Sequence, residues 1–255
     1  MTAGAPGARP AATAAAPAEP LLAVEGLDAG YGDVQVLWGV SLAVAPGEAV
    51  ALIGSNGAGK TTLLRAISGT LPARGGRVTF KGTDITGLPP DRRVAAGVAH
   101  APEGRQVFAG MTVRENLMMG AYTRRAARAA VAADLERVLA LFPVLADRRD
   151  QLAGTLSGGE QQMVAIGRGL MGRPEVLLID ELSLGLAPVV VERLVEALRA
   201  VHRAGTTLLL VEQDVQMVLE LASRGYVIAH GRVALQGPSE ELLRSEEVRA
   251  AYLGI

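Results

Sequence analysis

The stretch from Gly54 to Thr61 constrains the fold of this chain more than any other. It fits the pattern G-x-x-x-x-G-K-[ST], which forms a phosphate-binding loop when a strand precedes it and a helix follows it. The four apolar residues 50–53 are typical of a buried strand, and Leu63 and Ile67 suit a helix. The sequence therefore predicts a strand, a phosphate-binding loop and a helix in succession.

The residue types of this loop match the chemistry of a bound nucleotide. Glycines let the backbone turn so that its N–H groups converge on an anion at the helix N-terminus. Lys60 brings a compact cation to the phosphates, and the Thr61 hydroxyl can ligate Mg²⁺. Lysine occurs only at positions 60 and 81, and an arginine fork would not replace it in so tight a loop. The predicted nucleotide-binding residues are Gly54, Ser55, Asn56, Gly57, Ala58, Gly59, Lys60, Thr61 and Thr62.

Composition narrows the class of protein. A formal net charge of −1 does not indicate a nucleic-acid-binding protein, and we expect no nucleic-acid partner. Without cysteine, neither disulfides nor thiolate metal sites can form. No apolar run approaches the roughly 20 residues that span a bilayer, so we expect a soluble chain. Residues 1–20 are nearly all Ala, Pro, Gly and Thr, which predicts a disordered tail before a domain over 21–255.

Hydrophobic periodicity predicts an α/β fold. Alternation suggests strands at about 21–27, 40–45 and 76–81. From residue 156 onward the order is helix, strand, helix, strand, which argues for a mainly parallel sheet covered by helices. Residues 226–235 are typical of a hairpin.

A basic, alanine-rich helix is predicted over residues 125–142. We interpret the arginines at its start as a solvated helix face, because a run of like charges is usually exposed. These arginines are Arg124, Arg125 and Arg128.

Two acidic residues follow a predicted buried strand at 176–179. At the carboxyl end of that strand, Asp180 is placed to hold Mg²⁺ and Glu181 to act as a general base on water. Alone, two acids here would serve equally well to cap the next helix. In a chain that also carries the loop at Gly54, they predict a catalytic site.

A second anion-binding helix start is predicted at residues 157–160. Ser157 and Glu160 have the spacing of a capping box, and Gly158 and Gly159 leave backbone N–H groups bare. A capped helix is an adequate local interpretation. It does not explain why one chain carries two phosphate-binding helix starts.

The segment 156–162, the phosphate loop and the acidic strand end together resemble the ATP-binding cassette (ABC) ATPases, over about Leu21 to Ile255. The resemblance implies a P-loop NTPase α/β fold with a RecA-like core, an antiparallel β subdomain and a helical subdomain at about 103–170. It implies ATP as the nucleotide and a head-to-tail dimer. In that dimer the signature residues Ser157, Gly158 and Gly159 of one subunit contact the γ-phosphate held by the other. Glu160, next in the signature, is also assigned to nucleotide binding. Tyr31 falls where the family stacks an aromatic ring on adenine.

Four positions depart from the usual family pattern. Glu103 stands where most members have the Q-loop glutamine, with Gln106 nearby as the alternative. Gln213 stands where most have the switch histidine. A carboxylate can ligate Mg²⁺ and an amide can donate to phosphate, so the implied roles are Mg²⁺ for Glu103 and catalysis for Gln213. Leu182 also replaces the usual proline, and Ala187 the frequent D-loop aspartate.

With these departures, the chain resembles one type of cassette, the ATP-binding subunit of branched-chain (hydrophobic) amino acid importers. The resemblance lies in residues 102–108, 183–188, 211–213 and 251–254. Urea and short-chain amide importers share most of these features. The implied partners are transmembrane permease subunits, a sister ATP-binding subunit and, indirectly, an external solute-binding protein, which places the chain at the cytoplasmic face of the membrane.

The resemblance also implies that residues 103 to about 116 carry motion to the permease. Phe108 and Met111 are the candidate apolar contacts, though both could equally be buried under the helical subdomain. A rival ABC ATPase acting on DNA or ribosomes would need a coiled-coil insertion or a second cassette, and 255 residues hold neither. A GTPase would need an Asn/Thr-Lys-x-Asp motif, which lysines at 60 and 81 alone do not provide.

Overall fold

The computed structural model describes residues 19–124 and 126–248 and shows two β-sheets with helices around them. Residues 1–18 of the predicted tail over 1–20 lie outside this description, as do residues 249–255. No helix in these two stretches is long and apolar enough to cross a membrane. The strands are β1 (Leu22–Tyr31), β2 (Val34–Val44), β3 (Ala49–Ile53), β4 (Ala73–Phe80), β5 (Thr83–Asp84), β6 (Val98–Ala101), β7 (Val176–Asp180), β8 (Thr207–Val211), β9 (Arg224–Ala229) and β10 (Arg232–Pro238). The helices are α1 (Lys60–Ser68), α2 (Pro90–Ala96), α3 (Val113–Met119), α4 (Arg128–Leu141), α5 (Pro143–Asp147), α6 (Gly158–Met171), α7 (Pro188–Arg203), α8 (Val215–Leu221), α9 (Ser239–Arg244) and α10 (Glu246–Val248), with a 3-10 turn at Ala153–Thr155.

The larger sheet has the strand order β10-β9-β3-β8-β7-β6. Its pairs are parallel except β9 with β10, which form the predicted hairpin. β3, β7 and β8 are buried at every residue, which is why they read as unbroken apolar runs. Alternate residues of β3 face two separate hydrophobic cores. Ala51 and Ile53 lie in one core, and Val50 and Leu52 lie in the other. The mainly parallel sheet predicted from the sequence is confirmed.

The smaller sheet is antiparallel, with the order β2-β1-β4-β5. Its strands are longer than the alternation predicts, because register shifts between Val24 and Leu27 and between Leu27 and Ala29 interrupt the period of two. Leu64 and Ile67 of α1 lie in the same core as Val24. The helix that follows the phosphate loop is therefore held between this sheet and the larger one.

Four helices, α3 to α6, occupy most of the region predicted to be helical. Gly167 of α6 lies where Leu117 of α3 and Val138 of α4 approach, and a Cβ there would collide with both side chains. Buried Asn116 fastens the preceding loop: its Oδ1 accepts from the Phe108 N–H at 2.8 Å, and its Nδ2 donates to the Phe108 carbonyl at 3.0 Å. That these helices form a separate subdomain stays a prediction.

The interpretation of Arg124 as part of a solvated face is wrong. Its side chain is only 12% exposed and pairs with buried Asp134 at 2.7 Å, because the chain turns back toward α4 after α3. Arg173 binds the same carboxylate at 2.8 Å. Burial raises the pKa of Asp134, but hydrogen bonds from Arg173 and Arg124 outweigh burial and hold that pKa below its usual value. Arg128 is exposed as predicted, and Arg125 lies outside the described residues.

Candidate nucleotide-binding site

The predicted phosphate-binding loop connects β3 to α1. Its backbone enters the left-handed region at Gly57 (φ 78°) and Gly59 (φ 111°), which glycine adopts without the steric cost of a Cβ. A Cβ at Gly54 would meet the backbone carbonyl of Ile228. Because α1 begins directly after Gly59, its first N–H groups and its positive dipole end face the loop. This geometry suits an anion.

The Lys60 side chain is 5% exposed, and its ammonium is held at the loop. Nζ donates to the carbonyls of Gly54 at 2.7 Å and Ser55 at 3.1 Å. Burial lowers the pKa of Lys60, and the nearby carboxylates of Glu181 and Asp180 offset part of that effect. A phosphate beside this ammonium would further stabilise its charged form, since an opposite charge counters the cost of burial.

A cleft of about 560 Å³ opens beside the loop. Two apolar residues that line it, Val36 and Leu184, escape sequence reasoning because an apolar side chain carries no chemical signature. The structure brings together, in the lining of this cleft, these predicted site residues: Asn56, Gly57, Gly59, Lys60, Thr61, Thr62, Glu103, Glu181 and Gln213.

Asp180 ends β7, is fully buried and lies against Thr61. Its Oδ1 accepts a 3.2 Å hydrogen bond from the Thr61 hydroxyl, while Oδ2 has no partner in the described part of the chain. Burial raises the pKa of Asp180 to about 6; the charges of Glu103 and Glu181 add to the rise and the Thr61 hydrogen bond opposes it. A divalent cation would give Oδ2 a partner and offset the clustered negative charge, so Thr61 and Asp180 fit a Mg²⁺ site.

Glu181 and Gln213 meet just beyond the ends of neighbouring strands β7 and β8. Gln213 Nε2 donates a 2.8 Å hydrogen bond to Glu181 Oε1. Glu181 has φ 51°, which is uncommon for a residue other than glycine.

Of the two alternatives at the Q-loop position, Glu103 lines the cleft. The side chain of Gln106 is turned back along the chain, and its Nε2 donates to the Glu103 backbone carbonyl at 3.3 Å.

Tyr31 is not among the residues that line the cleft. It ends β1 with its side chain 42% exposed, and its hydroxyl accepts a 3.1 Å hydrogen bond from Arg65 of α1. Val36, on the strand paired with β1, lies at the cleft instead. The adenine-stacking role of Tyr31 stays a prediction.

The four signature residues also lie away from the cleft, at the start of α6. The predicted capping box is present: the Ser157 N–H donates to Glu160 Oε2 at 2.8 Å, and the Glu160 N–H donates to the Ser157 hydroxyl at 3.4 Å. A Cβ at Gly158 would collide with the Arg105 guanidinium. A single chain therefore does not bring its signature residues to its own phosphate loop.

Comparison with protein families identifies this arrangement. The ABC transporter family model matches residues 37–183, which include the phosphate loop, the signature residues and the acidic pair at the end of β7. The chain belongs to the ABC transporter family. This confirms the resemblance seen in the sequence.

Relatives of this ABC protein match nearly its whole length. The high-affinity branched-chain amino acid transport ATP-binding protein BraG of Pseudomonas aeruginosa is 46% identical, over 88% of this chain and 95% of its own. The probable branched-chain amino acid transport ATP-binding protein LivF of Archaeoglobus fulgidus is 38% identical, over 90% of this chain and 97% of its own. The lipopolysaccharide export system ATP-binding protein LptB of Escherichia coli K12 is 32% identical, over 91% and 97%.

Solved structures confirm the predicted ABC-type fold. A nucleotide-free ATP-binding cassette from an ABC transporter superposes with a TM-score of 0.82 at 28% identity, over 92% of this chain and all of the other. The ADP conformation of MJ1267, an ATP-binding cassette of an ABC transporter, superposes with a TM-score of 0.79 at 29% identity, over 92% of this chain and 99% of the other.

Family membership establishes the general activity. ABC ATP-binding proteins bind nucleotide and hydrolyse ATP to power transport, and this chain is an ATPase of that class. The ATP-binding subunits of ABC importers dimerise and work with transmembrane permease subunits.

Proposed function

We propose that this ABC ATPase powers the uptake of branched-chain (hydrophobic) amino acids, bound to permease subunits at the cytoplasmic face of the membrane. The observation that carries this proposal is the 46% identity to BraG over 88% of the chain. The LptB relatives, named for lipopolysaccharide export, are less similar at 31–32%. Urea or a short-chain amide is the alternative cargo for the same machine.

In this proposal Glu181 is the general base for hydrolysis. Its carboxylate accepts a proton from water as the water oxygen bonds to the γ-phosphorus and the bond to the β–γ bridging oxygen breaks, leaving ADP and phosphate. Gln213 orients that carboxylate through the 2.8 Å hydrogen bond, and its second N–H, which has no acceptor among the described residues, can donate to the γ-phosphate. Lys60 and the loop N–H groups stabilise the charge that develops on the phosphate oxygens.

Thr61 and Asp180 would hold Mg²⁺, with Glu103 contributing from across the cleft. The buried Oδ2 of Asp180 has no partner among the residues that the structure describes, which supports this assignment because a carboxylate oxygen buried without a partner is costly. When bound, the ion supplies positive charge to the phosphate oxygens.

The proposed working unit is a head-to-tail dimer. Residues 157–160 lie outside their own cleft, so a second cassette is needed to place a signature helix N-terminus over the nucleotide. ATP would then stabilise the closed dimer by contacting both subunits, and hydrolysis would remove that contact. This shift between closed and open dimers is what the permease would use for alternating access.

Phe108 is the centre of the proposed permease contact. It is 46% exposed, so its alternative placement under the helical subdomain is wrong, and it stacks on the Arg168 guanidinium at 5.2 Å. Tyr122 and Met119 are exposed beside it, at 63% and 40%, and line one cavity with it. Met111 is only partly exposed and bonds through its backbone to Phe108 and Ala153, which suits a supporting position.

Reconstitution tests the cargo. The chain would be assembled in liposomes with the permease, a sister ATP-binding subunit and the solute-binding protein, and radiolabelled uptake measured. We expect ATP-dependent uptake of leucine, isoleucine and valine, lost in Lys60→Ala and kept in the control Lys81→Ala. Uptake of urea or acetamide without leucine would contradict the proposed cargo.

We further propose that the partner cassette is a different, sister subunit, because the importer type that this chain resembles uses two ATPases. Alone, the chain should sediment as a monomer or a weak dimer, with ATP promoting association. Analytical ultracentrifugation checks this. A stable homodimer that forms without nucleotide would contradict it.

A further inference from the structure

Glu212 is a buried carboxylate next to the proposed catalytic pair. It follows the last residue of β8 and is only 3% exposed. Glu212 has no assigned role in the phosphate loop, in the proposed Mg²⁺ site or as the proposed base. No arginine or lysine within residues 19–124 and 126–248 forms an ion pair with it.

Hydrogen-bond donors surround both Glu212 oxygens. Oε1 accepts from the Ser183 N–H at 2.9 Å, and Oε2 accepts from the Ser183 hydroxyl at 2.8 Å and the Gln213 N–H at 3.2 Å. Burial raises the pKa of Glu212, and these hydrogen bonds oppose that rise. Because an ionised carboxylate only accepts, it matches this set of donors, whereas a glutamine would turn its own N–H₂ toward one of them.

The contacts of Glu212 complete a ring of contacts that includes the proposed catalytic pair, Glu181 and Gln213. Ser183 lies two residues after Glu181, and Gln213 directly follows Glu212. Glu181 and Gln213 are joined in turn by their own 2.8 Å hydrogen bond. The backbone of Glu181 sits in the left-handed region (φ 51°), a conformation that persists in such a residue only when its surroundings enforce it.

We propose that Glu212 is a positioning residue for ATP hydrolysis, which acts by tying the loop after Glu181 to the loop that carries Gln213. The Glu212 carboxylate holds Ser183, and Ser183 fixes where the Glu181 backbone turns. The same carboxylate anchors the Gln213 N–H, which aims the Gln213 amide at the Glu181 side chain. The inference rests on the proposed role of Glu181 as general base.

Kinetics of matched variants test the inference. In Glu212→Gln and in Ser183→Ala, kcat should fall roughly 10- to 100-fold, since a small misplacement of a catalytic group costs on this scale. The KM and Kd for ATP should stay within about twofold, because Lys60 and the loop are untouched. Ser183→Thr keeps the hydroxyl and should retain most activity. Glu220→Gln, an exposed substitution on α8, is the control and should be unchanged.

A double-mutant cycle separates positioning from general support of the fold. If Glu212 acts through Glu181, then adding Glu212→Gln or Ser183→Ala to Glu181→Gln should lower kcat no further than about twofold. An undiminished 10- to 100-fold loss in that background would overturn the inference. Ser183→Ala keeps the buried carboxylate, so it provides the test even if Glu212→Gln does not fold.

The remaining outcomes are distinguishable. Parent-like kcat in both Glu212→Gln and Ser183→Ala, beside a large loss in Glu181→Gln, would overturn the positioning role and leave the base assignment intact. A loss of ATP affinity as large as the loss of kcat would also overturn it, because the whole site would then be distorted. Parent-like kcat in Glu181→Gln would overturn both the base assignment and this inference.

Discussion

The side-chain amide of Gln213 donates a 2.8 Å hydrogen bond to the carboxylate of Glu181, 32 residues earlier in the chain. Parallel pairing of β7 with β8 brings the two loops together, with Asp180 opposite Val211. A glutamine at this position has no proton to lose or gain near neutral pH. The donor in this contact therefore does not titrate in the pH range in which a histidine would.

Gln213→His should retain activity but acquire a new pH dependence. The imidazolium donates to Glu181 or to the γ-phosphate below its pKa, near 6.5 when unperturbed, and loses its charge above it. We expect kcat of the variant to fall as the pH rises through that range, relative to the parent. Profiles of kcat for both proteins from pH 5.5 to 8.5 measure this, and identical profiles would contradict it.

Glu181→Gln should bind ATP with parent affinity but hydrolyse it roughly 10²- to 10⁴-fold more slowly, the usual scale for loss of a general base. The variant keeps the shape of the side chain and loses its proton acceptor. Closed dimers with bound ATP should therefore accumulate and elute earlier on size exclusion. If hydrolysis continues at the parent rate, Glu103 becomes the next candidate for the base.

Lys60→Ala should weaken ATP binding roughly 100-fold or more, because it removes a buried cation that pairs with phosphate. Lys81→Ala is the matched control, since Lys81 is the other lysine of the chain and pairs on the surface with Glu175. Calorimetric titration with ATP in the presence of Mg²⁺ measures both. Undiminished affinity in Lys60→Ala would contradict the assignment of the loop.

Asp180→Asn should stabilise the protein when Mg²⁺ and nucleotide are absent. The pKa of Asp180 is raised from 3.8 to about 6, so the folded state retains a proton that the unfolded state loses. The parent therefore loses stability as the pH rises from about 4 to 6, and asparagine cannot ionise. Above pH 6 the advantage of the variant should reach at most about 3 kcal/mol.

Urea unfolding in EDTA at pH 5 and pH 7.5 measures this advantage. We expect it to be larger at pH 7.5. Asp150→Asn, a substitution at an exposed position, serves as the control. Its free energy of unfolding relative to the parent should be the same at pH 5 and pH 7.5. An advantage that is equal at both pH values would contradict a raised pKa at Asp180.

Local sequence accounts for the elements that close over short distances. The strand, loop and helix at residues 49–68 need only an apolar run, glycines at the left-handed positions and a helix start. The capping box of Ser157 and Glu160 spans four residues and forms as predicted. β7 and β8 were recognisable because burial on both faces demands unbroken apolar runs.

Tertiary structure decided which of these elements meet. The order of β3, β8 and β7 places Gln213 beside Glu181 and Glu212 beside Ser183, and strand order is not written in any single segment. Arg124 resembles a surface charge in the sequence, but in the structure it lies in the loop before α4 and pairs with buried Asp134 on that helix. By itself the sequence determined the family, the phosphate loop and the acidic strand end, since these depend on neighbours along the chain. The ring of contacts around Glu181 depends on neighbours in space, because side chains far apart in sequence converge only when the parallel sheet forms.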